Sequence, residues 1–331
     1  MRAAICRAYG EPDTVVEIVD VPSVRPGADQ VRVKVHAAAV NFPDVLLLSN
    51  SYQISVPTPF IPGSEFAGEV VEVGDSVDHL GVGERVFGST MVGAFAEEIV
   101  VPASSLTRTP PSVSDKIAAA FGVAYRTAYH VLRSTAGLQP GDELVVLGAG
   151  GGVGTAAVQL GALMGATVTA IGSTAEKLEA ARSCGAHRVI QHGSGDLRQA
   201  LREALPEGAD VVVDPVGGDL AEPTLRALRW GGRFVSVGYA SGAIPRIPLN
   251  LVLLKGISIL GFEMRGFGIH HPDEMARDER ELLALLADGR AVPLIGATFD
   301  LTDAAAALRH VAAGRALGKV VVEITPGSSA A

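Results

Sequence analysis

The sequence predicts an α/β fold in two domains, a doubly wound parallel sheet preceded by a β-rich segment. Three observations predict it. Before Pro110, short apolar runs are separated by Gly, Pro and Asp turns. After it, runs of strand length alternate with stretches long enough to be helical crossovers. At the head of that alternation lies a glycine-rich turn, Gly148-Ala149-Gly150-Gly151-Gly152-Val153-Gly154. A chain of 331 residues also exceeds what one small core organises.

The β-rich part opens with Val31, Val33 and Val35 alternating against Arg32, Lys34 and His36, the period-two pattern of a half-buried strand over about 30–40. Further strands are expected over 66–73, 85–87 and 94–101, forming a compact, partly open barrel. Beyond Pro110-Pro111, Ser114 and Asp115 open an Ala-rich helix, and a second helical segment runs from Tyr125 to Arg133. Strands then follow over 143–147, 167–171, 188–190, 210–213, 233–237 and 257–260, with helices over 153–164, 175–184 and 197–205. Six such strands make a full Rossmann domain. The last segment carries helices over 279–287 and 304–313 and a strand over 319–324. That strand returns most economically to the first domain, which gives a discontinuous domain of residues 1–124 and 266–331 around a dinucleotide-binding domain of residues 125–265, with chemistry in the cleft between them. A short Gly/Ser/Ala tail is expected to fray.

Composition narrows the function. Apolar residues make up 48% and charged residues 19%, as in a folded chain that buries a substantial core. The net charge of −9 and the lack of any Lys/Arg-rich block exclude the electrostatic footprint of a nucleic-acid binder. Cys6 and Cys184 lie far apart, as expected of free thiols in a reducing compartment, and the opening residues do not read as a secretory signal. A cytoplasmic enzyme is expected. The uncharged run from Leu144 to Ala175 has the hydropathy of a membrane span, but its glycines divide it into a strand and a helix, so no membrane association is expected.

The glycine turn sits between a strand and a helix, where small residues let the backbone approach a pyrophosphate and the helix dipole favours its charge. Gly150, Gly151, Gly152 and Val153 are therefore expected at the cofactor. NAD-binding sheets usually end their second strand in a carboxylate that binds the ribose hydroxyls. Here that strand ends Ile171-Gly172-Ser173-Thr174 with Lys177 one turn further, a set of donors suited to the 2′-phosphate of NADPH. Loops beyond the carboxyl ends of later strands should also reach the cofactor, which adds Val216, Gly238, Tyr239 and Phe262. Asp214 is expected to cap its loop.

Two cysteines supply neither a catalytic nor a structural zinc of the alcohol dehydrogenase kind, and the eight histidines lack ligand spacing, His270 and His271 being adjacent in an expected loop. No metal is predicted. Without a Lewis acid, reduction of a polarised acceptor is easier than oxidation of a simple alcohol.

Val40-Asn41-Phe42-Pro43-Asp44, Pro62-Gly63-Ser64-Glu65-Phe66-Ala67-Gly68 and the Ala149–Gly154 turn together resemble the zinc-free quinone oxidoreductases of the medium-chain dehydrogenase/reductase family, the group that includes zeta-crystallin. The resemblance spans nearly the whole chain. It implies a GroES-like catalytic domain, NADPH as cofactor and hydride transfer to a quinone or activated double bond. In zinc-dependent relatives the first segment holds a cysteine ligand and the second a histidine, whose place Ser64 takes. The resemblance also places Asn41 and Tyr52 near the nicotinamide, where an amide N–H and a phenol can donate to the oxygen that gains charge, with Asp44 a further catalytic candidate, Thr127 near the carboxamide, and His192 with Ser173 and Lys177 at the adenosine end. Asn41 is equally suited to cap a helix that has Pro43 in its first turn and Asp44 behind it. Relatives reducing enoyl thioesters carry a tyrosine in the matching stretch, so that reading stays open, as does a non-catalytic, crystallin-like NADPH-binding role. The resemblance further implies a homodimer formed through the sixth strand, whose Ile257-Ser258-Ile259-Leu260 is apolar enough to need cover.

Overall fold

The computed structural model describes residues 1–324, so the tail expected to fray lies outside the described residues. The chain forms two compact units, one made of Met1–Val123 with the stretch that starts at Ile295, the other of Ala124–Leu294.

The first unit is built on one long strand, Gln30–Val40. Val31, Val33 and Val35 are fully buried, as the alternation predicts. This strand pairs antiparallel with Glu65–Val73, Glu98–Pro102 and Lys319–Glu323, so the last strand does return to the first sheet. Ile295–Asp300 and Arg85–Ser89 extend the sheet on either side, with Leu106–Arg108 at one margin. Gly68 is required at the crossing, because a Cβ there would lie 1.9 Å from the carbonyl oxygen of Lys34. Phe66, Phe95 and Leu48 are among the large side chains that fill the core. The register shifts after Val35, and His36, expected on the polar face, is buried with Nδ1 2.8 Å from the Asp115 carboxylate. An opening hairpin, Arg2–Cys6 against Val16–Asp20, was not anticipated.

The second unit is a six-stranded sheet with all neighbours parallel. In space its strands run Arg188–Gln191, Thr167–Gly172, Glu143–Val146, Ala209–Asp214, Leu228–Ser236 and Ser258–Gly261. That is the Rossmann order, with the chain reversing direction across the sheet beside Glu143–Val146. The central strand Ala209–Asp214 is buried at every position, as a strand covered by helices on both faces must be. The uncharged run 144–175 is divided into strand, helix Gly152–Leu163 and strand, and no helix among the described residues is long and apolar enough to cross a membrane.

Two expectations about helices need correction. The segments after Ser114 are one helix, Asp115–His130, that ends in a π-helical turn, Val131–Thr135. His270 belongs to a further helix, Met264–His270, rather than to a loop. The residues after 265 also differ from the expected division, since helix Pro272–Ala287 lies in the second unit. It is held there by polar contacts: the buried imidazole of His130 sits 3.0 Å from Asp278 and 3.2 Å from Glu279, and Tyr129 and Arg133 both donate to Glu281.

Candidate functional site

In the first unit, Asn41 occupies the N-cap of the seven-residue helix Phe42–Leu48, with Pro43 in its first turn. Asp44 Oδ2 accepts the Asn41 backbone N–H at 2.7 Å. Its other oxygen, Oδ1, is buried with no hydrogen-bond partner among the described residues. Burial pushes the Asp44 carboxyl up to about 7, against the opposing pull of the Asn41 N–H. A carboxyl so placed is in part protonated at neutral pH.

The Asn41 side chain turns inward. Its Nδ2 donates to Glu65 Oε1 at 2.9 Å and to Ser64 Oγ at 3.2 Å, while Oδ1 accepts from Lys319 Nζ at 2.6 Å. Lys319 also lies 2.6 Å from Glu65 Oε1, and both side chains are almost wholly buried. The second Glu65 oxygen accepts the Val123 N–H at 2.8 Å, inside helix Asp115–His130, where Gly122 leaves room for the approach. The sequence-predicted Asn41 and Asp44 are thus brought together with Ser64, and Glu65 and Lys319 join them unforeseen. Tyr52 packs against the apolar core of this unit.

This donor set does not suit a divalent metal. Asn41 and Ser64 are neutral ligands without the thiolate or imidazole a zinc site prefers, and the Lys319 ammonium already compensates Glu65.

In the second unit, Glu143–Val146 leads into Gly148, whose φ of 59° only glycine adopts freely here, since a Cβ would also meet Val216 at 2.7 Å. Gly151 then starts helix Gly152–Leu163 with no side-chain cap. Gly154 packs the helix on the turn, for a Cβ there would stand 2.1 Å from the Gly148 carbonyl oxygen. Gly150 accommodates the Lys177 stem in the same way, at 2.5 Å from its Cβ.

Lys177 stands in the first turn of helix Ala175–Ser183, with its backbone N–H bound to Thr174 Oγ1. The His192 backbone N–H binds the Gly172 carbonyl at 3.0 Å, and Gln191 reaches the Ser173 carbonyl. Burial and the neighbouring Lys177 charge hold the His192 imidazole below its ordinary range. Gly172, Ser173, Lys177 and His192 are therefore gathered at one strand end. Asp214 caps its loop as expected, its buried Oδ1 accepting the N–H groups of Val216 and Gly217 at 2.8 Å each. Tyr239 is exposed, with its hydroxyl 3.3 Å from Ser236, and the Gly217 backbone fits against its ring. Phe262 stacks on His130 at 6.2 Å between ring centres. Thr127 lies on helix Asp115–His130, away from this strand end in sequence.

Fold and residues define an oxidoreductase of the two-domain medium-chain dehydrogenase plan. Residues 27–111 match the alcohol dehydrogenase GroES-like domain, and residues 152–288 match the family described as zinc-binding dehydrogenase. The chain is 36% identical over 325 residues to a quinone oxidoreductase-like protein 2 homolog of Nematostella vectensis, covering 97% of this chain and 88% of that protein. It superposes on Escherichia coli quinone oxidoreductase, solved in complex with NADPH, with a TM-score of 0.89 and 28% identity over 98% of this chain and 100% of that one. It is also 37% identical over 298 residues, or 90% of its length, to the polyketide synthase GfsB of Streptomyces halstedii, of which that match spans 5%. The chain belongs to the quinone oxidoreductase family of medium-chain dehydrogenase/reductases.

Proposed function

We propose that this protein is an NADPH-dependent reductase that passes hydride to a quinone or an activated double bond without a metal. The observation that carries the reading is the end of strand Thr167–Gly172: no carboxylate closes it, and Ser173, Thr174, Lys177 and His192 gather there beside the glycine turn. A 2′-phosphate finds a cation and hydroxyl donors there, where a carboxylate would repel it. NADPH binding by the Escherichia coli relative supports the same reading.

When bound, NADPH supplies the hydride. Gly150, Gly151, Gly152 and Val153 would hold its pyrophosphate, with Val216, Gly238, Tyr239 and Phe262 lining the approach to the nicotinamide and Thr127 at the carboxamide. Tyr52 or solvent would deliver the proton to the reduced acceptor. Asn41 takes a different part from the donor first expected. Both amide hydrogens are engaged by Ser64 and Glu65, so it shapes the wall of the acceptor site.

A second reading, reduction of enoyl thioesters, is favoured by the match to the polyketide synthase over 90% of this chain. NADPH oxidation against 1,4-benzoquinone, 9,10-phenanthrenequinone and crotonyl-CoA, with NADH and a chelator as controls, separates the two. Chelator-resistant quinone turnover with NADPH supports the first. Turnover confined to crotonyl-CoA moves the protein to the enoyl reductases, and binding without turnover leaves a crystallin-like role. We further propose a cytoplasmic homodimer. Among the described residues Ser258–Gly261 pairs with a neighbour on one side alone, and Trp230, Leu253, Leu254 and Ile259 are exposed around that part of the unit.

A further inference from the structure

The reading above gives Lys319 no task, yet it is the most constrained cation of the first unit. Its side chain is 3% exposed, and Nζ faces three acceptors, Asn41 Oδ1 and Glu65 Oε1 at 2.6 Å each and the Val40 carbonyl at 3.4 Å. Three acceptors match the three protons of an ammonium. An ammonium only donates, so it admits one orientation of the Asn41 amide, with oxygen toward Lys319 and nitrogen toward Ser64 and Glu65. The same contact compensates the buried carboxylate of Glu65.

We propose that Lys319 is a positioning residue of the reductase site, fixing the Asn41 amide and cancelling the Glu65 charge next to the acceptor. The inference rests on the reading that Asn41 borders that acceptor. Negative charge develops on the acceptor as hydride arrives, so an uncompensated carboxylate behind Asn41 raises the barrier. The charged side chains of the cluster are Asp44 on helix Phe42–Leu48, Glu65 on strand Glu65–Val73 and Lys319 itself. Ser64 adds a hydroxyl, and helix Asp115–His130 adds the Val123 N–H.

The experiment compares wild type with Lys319→Met, Glu65→Gln and the double variant, each saturated with NADPH and assayed against 1,4-benzoquinone. Lys319→Met is expected to lower kcat roughly tenfold or more, with NADPH affinity within about twofold of wild type. The double variant leaves no uncompensated charge and is expected to recover the part of kcat that the bare Glu65 carboxylate costs, so that its loss is smaller than that of Lys319→Met. Equal losses in the single and double variants, or an unchanged kcat in Lys319→Met, overturn the proposal. A structural readout stands apart from turnover: in wild-type protein the Asn41 side-chain NH2 pair is expected to exchange slowly in 15N-resolved spectra, and in Glu65→Gln it should keep its Lys319-fixed orientation. A freely exchanging Asn41 amide in wild type overturns the proposal even where Lys319→Met does not fold. If wild type reduces no acceptor while the amide is held, the reductase reading fails and the hold of Lys319 on Asn41 stands.

Discussion

At the scale of single residues, Asp44 is the clearest case of a local role with a measurable signature. Its native carboxyl is pushed up to about 7, so the folded state binds a proton more tightly than the unfolded chain. The sign follows: the native state loses stability through this group as pH rises from about 4 to about 7, and above that the penalty is constant. Asp44→Asn keeps an oxygen to accept the Asn41 N–H and carries no charge. It should therefore match or exceed wild-type stability at pH 8, with an advantage that shrinks as pH falls toward 5. Thermal melts of both proteins across that range check this, and a pH-independent difference would refute it. Lys177 offers a test of cofactor choice: Lys177→Ala is expected to weaken NADPH about tenfold while changing NADH binding little, measured by fluorescence titration of both dinucleotides.

Asn41, Asp44 and the residues around Lys177 were legible as candidates because each sits in a patterned context. Asn41 stands before a proline and an acid, and Lys177 follows a strand end that lacks the usual carboxylate. Lys319 and Glu65 stayed hidden for opposite reasons. Glu65 lay inside a motif already noted for Ser64, and Lys319 opens the run Val320-Val321-Val322, where a lysine reads as an ordinary solvated strand end. A charge at a strand start shows no sign in sequence of the buried carboxylate that will meet it.

At the scale of elements, periodicity explains both success and failure. The parallel strands of the second unit were legible because they are continuous apolar runs between glycine and helix signals. Strand Leu228–Ser236 was foreseen in its second half alone, since Arg229, Trp230, Gly231 and Gly232 break the pattern. Helix Met264–His270 was missed because its two glycines and terminal histidine resemble a loop. The glycine turn is the element whose geometry is most demanding. Gly154→Ala places a methyl group against the Gly148 carbonyl, and the helix must move away from the turn. A loss of about 1–3 kcal/mol in urea unfolding is expected, with at least a tenfold loss of NADPH affinity. Unchanged affinity by calorimetry would mean that the turn tolerates displacement and that its close packing is incidental to binding.

At the scale of the whole molecule, the fold class was legible because two independent patterns, a β-rich opening and a strand-helix alternation, divide the chain. The limit of the second unit was not, because helix Pro272–Ala287 is fixed by His130, Tyr129 and Arg133, partners more than a hundred residues earlier. The assembly prediction belongs here. If two copies pair through Ser258–Gly261, Ile259→Lys should convert the dimer to a monomer in analytical ultracentrifugation. A monomeric wild type would rule that interface out.

Lys319 and Val40 are separated by 279 residues, and their strands are neighbours in one sheet. On the ribosome, at about 5–20 residues per second, the central strand waits roughly 15–55 s for its partner. Through that interval Glu65 has no counter-charge and the edge of Gln30–Val40 has no cover. All six strands of the second unit precede Lys319 in sequence, so its parallel sheet is complete in the chain while the first sheet still lacks Lys319–Glu323. Chain order thus leaves the counter-charge of Glu65 to the last strand of the described residues.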